Sequence, residues 1–206
     1  MIEFLIRRFV PDWQQVQRTD VRERYGTLAA AVGILSNIFL CIIKGLIGLF
    51  SGSIAVTADA VNNLSDAGSS VITLLAFKIA GKPADEEHPY GHARMEYISG
   101  MAVSFIIILL GLELMGSSFE KILHPEEVGV SALTYLVLIV SIAVKLWQGM
   151  FNRNLGKRIS SEALQATAAD SLNDVFSTGA VLLSTLMKLE LSGRVFKQPG
   201  QRYVLR

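Results

Sequence analysis

Long apolar windows alternate with short polar stretches along this chain between residues 27 and 189. A helix rises about 1.5 Å per residue, so about 20 apolar residues cross a hydrocarbon core about 30 Å thick. Five windows reach that length, and they predict transmembrane helices over residues 27–50, 54–79, 97–119, 132–150 and 161–189. The pattern therefore predicts an all-α, polytopic membrane protein, a helical bundle whose transmembrane domain extends over residues 26–191.

Composition agrees with lipid as the main solvent of this chain. Of its 206 residues 51% are hydrophobic and only 18% are charged, and the formal net charge is +1. That charge and the absence of clustered basic and aromatic residues exclude a nucleic-acid partner. The single cysteine, Cys41, excludes an intramolecular disulfide framework and a cysteine-rich metal cage.

The basic residues lie on one side of the predicted membrane topology. This side carries the leader, the second-to-third loop and the fourth-to-fifth loop, with Arg7, Arg8, Arg18, Arg22, Arg24, Lys82, Arg94, Arg153, Lys157 and Arg158. The positive-inside rule then places the N-terminus and the loop 81–95 in the cytoplasm. We expect a cytoplasmic or interfacial segment over residues 1–25 and a multi-pass protein of a bacterial inner membrane.

Two of the predicted helices carry polar pairs near their centres. Asn62 and Asp66 are four residues apart, as are Asp170 and Asp174, so each pair lies on one face of its helix. Counted from opposite helix ends, both pairs fall near the midplane of the bilayer. Two antiparallel helices can therefore bring four oxygen-bearing side chains to one point. Asp59, one turn outside Asn62, is expected to line an ion path or a hydrated cavity.

Ionisable residues inside a membrane indicate function because burying them is costly. Three carboxylates close together repel one another, a bound divalent cation removes that repulsion, and protons can replace the cation when it leaves. The alternative is that these groups only form hydrogen bonds between helices. For the remaining membrane charges we predict that Lys44 pairs with Glu113 and that Lys145, near the inner end of its helix, extends to the interface.

Three segments together resemble the cation diffusion facilitator family of metal transporters. They are residues 58–66 (ADAVNNLSD), 82–96 (KPADEEHPYGHARME) and 170–174 (DSLND). The resemblance implies a six-helix domain that works as a homodimer and exports a divalent cation from the cytoplasm in exchange for protons. It also implies a cytoplasmic C-terminal domain. Here we expect five of the six helices, an atypical tail over Ser192–Arg206 and no such domain, and we expect neither enzymatic activity nor a resident cofactor.

The loop after the second helix holds a second candidate site. Asp85, His88 and His92 combine one carboxylate with two imidazoles, a donor set suited to zinc-like ions. Relatives that are similar in this loop bind a metal there, which implies a cytoplasmic site on these three residues. The alternative is that both histidines are surface residues of a polar turn.

The ligand types in the membrane favour manganese as the transported ion. Zinc transporters of this family typically place a histidine at the first position of one or both membrane motifs, where this chain has Asn62 and Asp170. The set Asn62, Asp66, Asp170 and Asp174 resembles the manganese-exporting branch, and oxygen ligands suit harder cations. Zinc, iron or cadmium export remains an alternative, as does a non-transporting metal-binding scaffold. An intramembrane aspartyl protease is disfavoured. Such an enzyme needs a single aspartate from each of two helices and not a pair spaced by four residues on both, and it has no role for the histidine loop.

Overall fold

The computed structural model describes residues 2–51, 54–123 and 132–195, and over these ranges the chain is helical with no strand. The elements are α1 (Ile2–Phe9), α2 (Thr19–Ser51), α3 (Ile54–Ala80), α4 (Met95–Leu123), α5 (Ala132–Ile159) and α6 (Glu162–Val195). The predicted all-α fold is confirmed. Candidate membrane spans by length and hydropathy lie at Thr19–Phe50, Met95–Glu113 and Leu133–Ile159. Helices α3 and α6 carry the polar pairs, and their assignment as membrane spans is based on their length and on their position among the other helices.

Several helices extend beyond the apolar windows that predicted them. Helix α2 begins at Thr19 instead of residue 27, and α5 continues to Ile159 instead of residue 150. The reason is that hydropathy measures only the lipid-facing length, whereas a helix can continue into water until a residue interrupts it. Helix α6 reaches Val195, so the first four residues of the predicted tail are helical. The rest of that tail, 196–206, lies outside the described residues.

The helices pack as two neighbouring pairs with α4 against both. Helix α2 packs along α3, α5 packs along α6, α2 also contacts α5, and α4 contacts α3 and α6. Gly26 shows how closely α2 and α3 approach, because a Cβ atom there would lie 2.0 Å from the ring of Phe77. This arrangement brings α3 and α6 close to each other inside the bundle.

The short amphipathic helix α1 packs onto the end of the bundle. Ile6 and Val10 are fully buried in a cluster with Tyr25 and Phe151, while Phe4 on the other face of α1 is 69% exposed. The segment predicted to lie at the interface therefore contributes one of its faces to a protein core.

Ion pairs and hydrogen bonds connect the ends of α1, α2, α4 and α5. Arg22 of α2 forms an ion pair with Glu96 of α4 at 2.9 Å and donates a hydrogen bond to the carbonyl of Ile159 at the end of α5. Arg158 of α5 is paired with Glu3 of α1. The arginines of the basic side thus connect these four helix ends.

A two-residue turn sets the start of α6. Ser160 has φ +50°, the left-handed conformation that commonly ends a helix, and the Ser161 N–H donates to the Gly156 carbonyl at 2.9 Å. The Ser161 hydroxyl accepts a hydrogen bond of 3.4 Å from the Leu164 N–H, which caps the first turn of α6. The turn therefore sets where α6 begins, and with it the positions of Asp170 and Asp174.

Candidate metal centre

Three carboxylates from α3 and α6 meet inside the bundle. One oxygen from each of Asp66, Asp170 and Asp174 lies within 4.8 Å of the other two. Asp66 is only 5% exposed, while Asp170 and Asp174 are partly buried. The predicted meeting of carboxylates from the two helices is thus present in the structure.

The amide of Asn62 belongs to the same cluster. Its Nδ2 donates a long hydrogen bond of 3.5 Å to Asp174 Oδ1, which connects α3 to α6. The two neighbouring asparagines do not take this position. Asn63 is buried and its Nδ2 donates to the Asp59 carbonyl at 2.7 Å, whereas Asn173 is exposed.

Lys145 of α5 also lies within this cluster, a position that the sequence pattern did not predict. Its Nζ is 2.5 Å from Asp66 Oδ2 and 2.6 Å from Asp174 Oδ2, and the residue is 3% exposed. The prediction that Lys145 extends to the interface is wrong because α5 continues to Ile159, which makes this lysine the fourteenth of 28 helical residues. Counted from the end of α5 at Ile159, Lys145 lies fourteen residues inside the helix, which is its centre.

Lys44 is also paired differently from the prediction. Its Nζ lies 2.8 Å from Asp59 Oδ2, and the lysine side chain is 2% exposed. Glu113, the predicted partner, is exposed on α4. The prediction of a Lys44–Glu113 pair is therefore wrong, because α2 packs along α3 and brings Lys44 to Asp59. Asp59 is 31% exposed on its side chain, and its place on an ion path stays a prediction.

The charges of the central cluster do not balance with all groups ionised. Three carboxylates and one ammonium leave a formal charge of −2 in a site largely removed from water. Such an excess costs free energy in a low-dielectric environment unless a cation compensates it. Carboxylate and amide oxygens are ligands that suit hard divalent cations. The cluster therefore has the charge and the donor atoms for one divalent ion.

The second predicted set also comes together, in the loop between α3 and α4. Asp85 Oδ1 lies 3.3 Å from His88 Nδ1, and Asp85 Oδ2 lies 3.5 Å from His92 Nε2. The two imidazole rings are 4.5 Å apart between centroids. All three residues offer a ligand atom within 4.8 Å of the others, so the donor set fits a single ion.

Backbone contacts orient this loop cluster. The His88 N–H donates to Asp85 Oδ1 at 2.6 Å, and that hydrogen bond is the largest cause that lowers the pKa of the Asp85 carboxyl. Asp85 is thus held as a carboxylate, the form that binds a cation. His92 Nδ1 lies 3.2 Å from the Pro83 carbonyl, which as a hydrogen bond would leave Nε2 facing Asp85 as a ligand atom.

Comparison with known proteins places this architecture in a family. The sequence family of the cation efflux transmembrane domain matches residues 30–193, a range that includes α3, nearly all of α6 and both clusters. The chain belongs to the cation efflux family. Members of the cation efflux family are transporters and not enzymes, which agrees with the expectation of no enzymatic activity.

Curated relatives in the cation efflux family differ in what their names describe. The manganese efflux system protein MneS of Bacillus subtilis is 36% identical over 159 residues, 75% of this chain and 55% of that protein. An uncharacterized transporter of Methanocaldococcus jannaschii is 34% identical over 76% of this chain and 56% of its own length. Magnetosome protein MamB of Magnetospirillum gryphiswaldense is 30% identical over 73% of this chain and 51% of its length. The chain thus spans a little over half the length of these relatives.

Proposed function

We propose that this protein exports a divalent metal cation, with manganese as the first choice, in exchange for protons. The observation that carries the proposal is the cluster of Asp66, Asp170 and Asp174 with the Asn62 amide on two central helices. These four residues form the proposed transport site. Because the carboxylates repel one another, either a divalent cation or protons must compensate them, and this requirement couples the two ions.

The choice of manganese rests on the ligand atoms and on one relative. The proposed transport site has oxygen donors only, from three carboxylates and one amide, which favours manganese over zinc. A relative named for manganese efflux shares 36% identity with this chain. Zinc, iron and cadmium remain the alternatives, since ligand type alone does not set metal choice in cells.

The remaining parts of the proposal concern orientation and assembly. The basic loops favour an N-terminus in the cytoplasm. We propose a bacterial inner membrane as the membrane that the protein spans. In that orientation Asp85, His88 and His92 form a cytoplasmic metal site. The family resemblance also favours a homodimer.

Flux in proteoliposomes tests the proposed function. The protein is reconstituted with a pH-sensitive dye inside the vesicles, and manganese, zinc, iron or cadmium is added outside. We expect manganese-driven proton movement that is lost in Asp174→Ala and retained in Asn173→Ala. Asn173 is a matched control because it precedes Asp174 on α6 but is exposed and lies outside the cluster.

The outcomes separate the alternatives. Zinc-driven flux without manganese flux would retain an exporter but contradict the metal assignment. Absence of flux with all four cations, in folded protein that still binds metal, would favour a non-transporting scaffold.

A further inference from the structure

We propose that Lys145 is a tethered cation that competes with the transported metal for Asp66 and Asp174, and so sets the metal affinity of the transport site. This inference rests on the proposed function, because it concerns the same carboxylates. The family motifs do not include Lys145. This lysine comes from α5, whereas the motif residues of the transport site lie on α3 and α6.

The position of the ammonium carries the argument. Lys145 Nζ contacts one oxygen of Asp66 at 2.5 Å and one of Asp174 at 2.6 Å, so it lies between α3 and α6. A divalent cation bound by both carboxylates would need the same oxygen atoms. Two cations cannot share them at such distances without strong repulsion, because the site is largely removed from water. The metal must therefore displace the ammonium or bind against its charge.

The chemistry of lysine suits this role. An ammonium is a compact charge with three donors on a flexible stem, so it can form contacts with two carboxylates and also withdraw from them. A transporter must release its cargo as well as bind it, and a tethered competitor lowers affinity without removing any ligand. Lys44 offers a contrast, since it is equally buried but pairs with Asp59, outside the carboxylate cluster.

Manganese binding measured by electron paramagnetic resonance tests the inference directly. The protein is studied in lipid nanodiscs with His88→Ala and His92→Ala, so that the loop site does not bind the ion. In this background we expect Lys145→Met to bind Mn²⁺ about ten-fold more tightly or better, because a repelling charge is gone. Lys145→Arg, which keeps the charge, should bind nearly as the parent does. Lys44→Met should also leave the affinity unchanged.

Flux provides a second readout that a purely structural role would not produce. For Lys145→Met we expect KM for manganese and kcat to fall together, since the ion enters a tighter site and leaves it more slowly. If the variant is unstable, millimolar Mn²⁺ should restore its folding, because the metal then provides the missing positive charge. Lys145→Gln is measured in parallel as a second neutral variant.

Three results would overturn the inference. They are unchanged or weaker Mn²⁺ binding by folded Lys145→Met and Lys145→Gln, an equal gain in Lys44→Met, and neutral variants that Mn²⁺ fails to refold. Asp174→Ala distinguishes this failure from failure of the proposed function. If Asp174→Ala abolishes binding while both neutral variants bind as the parent does, only the role of Lys145 is wrong. If Asp174→Ala binds normally, the transport site itself is wrong.

Discussion

Breaking one side of the Lys145 bridge should destabilise the protein, and removing both charges should cost less than the sum of the two single losses. Removal of one partner from a buried ion pair costs about 3–5 kcal/mol, because the other charge stays buried without compensation. In Asp66→Asn the ammonium keeps Asp174 at 2.6 Å as a second partner, so we expect a loss nearer to about 2 kcal/mol. That loss corresponds to a Tm decrease of about 4–8 °C for a chain of this length.

The companion variants complete a double-mutant cycle. Lys145→Met alone leaves Asp66 and Asp174 close together without their counter-charge, and we expect a similar loss of about 2 kcal/mol. The double variant Asp66→Asn with Lys145→Met still leaves Asp174 without its ammonium partner, so we expect it to lose about 2 kcal/mol, no more than either single variant. The coupling free energy between the two sites is then about 2 kcal/mol, well above the experimental scatter of about 0.5 kcal/mol for independent sites.

Thermal unfolding in detergent, followed by circular dichroism with a chelator present, measures each variant without a contribution from bound metal. Ser65→Ala is the matched control, because Ser65 precedes Asp66 on α3 and is exposed, and its effect should stay within about 0.5 kcal/mol. Losses that simply add in the double variant would refute the reasoning, since the two charges would then not stabilise each other.

Three further predictions concern the rest of the described chain. Gly26→Ala should destabilise the protein by about 1–3 kcal/mol in thermal unfolding, because its Cβ would overlap the Phe77 ring, and Phe77→Leu should partly relieve the clash. Arg22→Ala should lower the free energy of unfolding by about 1–3 kcal/mol in the same assay, since it leaves the buried Glu96 without its partner. An unchanged Tm would show that the Arg22–Glu96 ion pair does not stabilise the protein. His92→Ala should remove one equivalent of zinc in calorimetric titration, whereas retained stoichiometry would contradict a loop site.

The sequence alone determined the helical class, the family, and the carboxylate, amide and histidine residues of the two clusters. Apolar windows long enough to cross a bilayer leave few alternatives to helices, because backbone groups in lipid must be hydrogen-bonded within the chain. The spacing of four residues placed Asn62 with Asp66, and Asp170 with Asp174, on single helix faces. These inferences depend on local geometry, which a sequence encodes directly.

Only the tertiary structure decided which charges meet across helices. Lys145 was predicted to lie at the membrane interface because hydropathy ended its helix nine residues early, yet it bridges Asp66 and Asp174. Lys44 was assigned to the wrong partner because the depth of a residue along its helix does not indicate which neighbouring helix its side chain faces. Rotation of each helix and the packing of α2 along α3 fix those pairings. They arise from contacts distant in sequence, and the pattern of a single helix does not contain them.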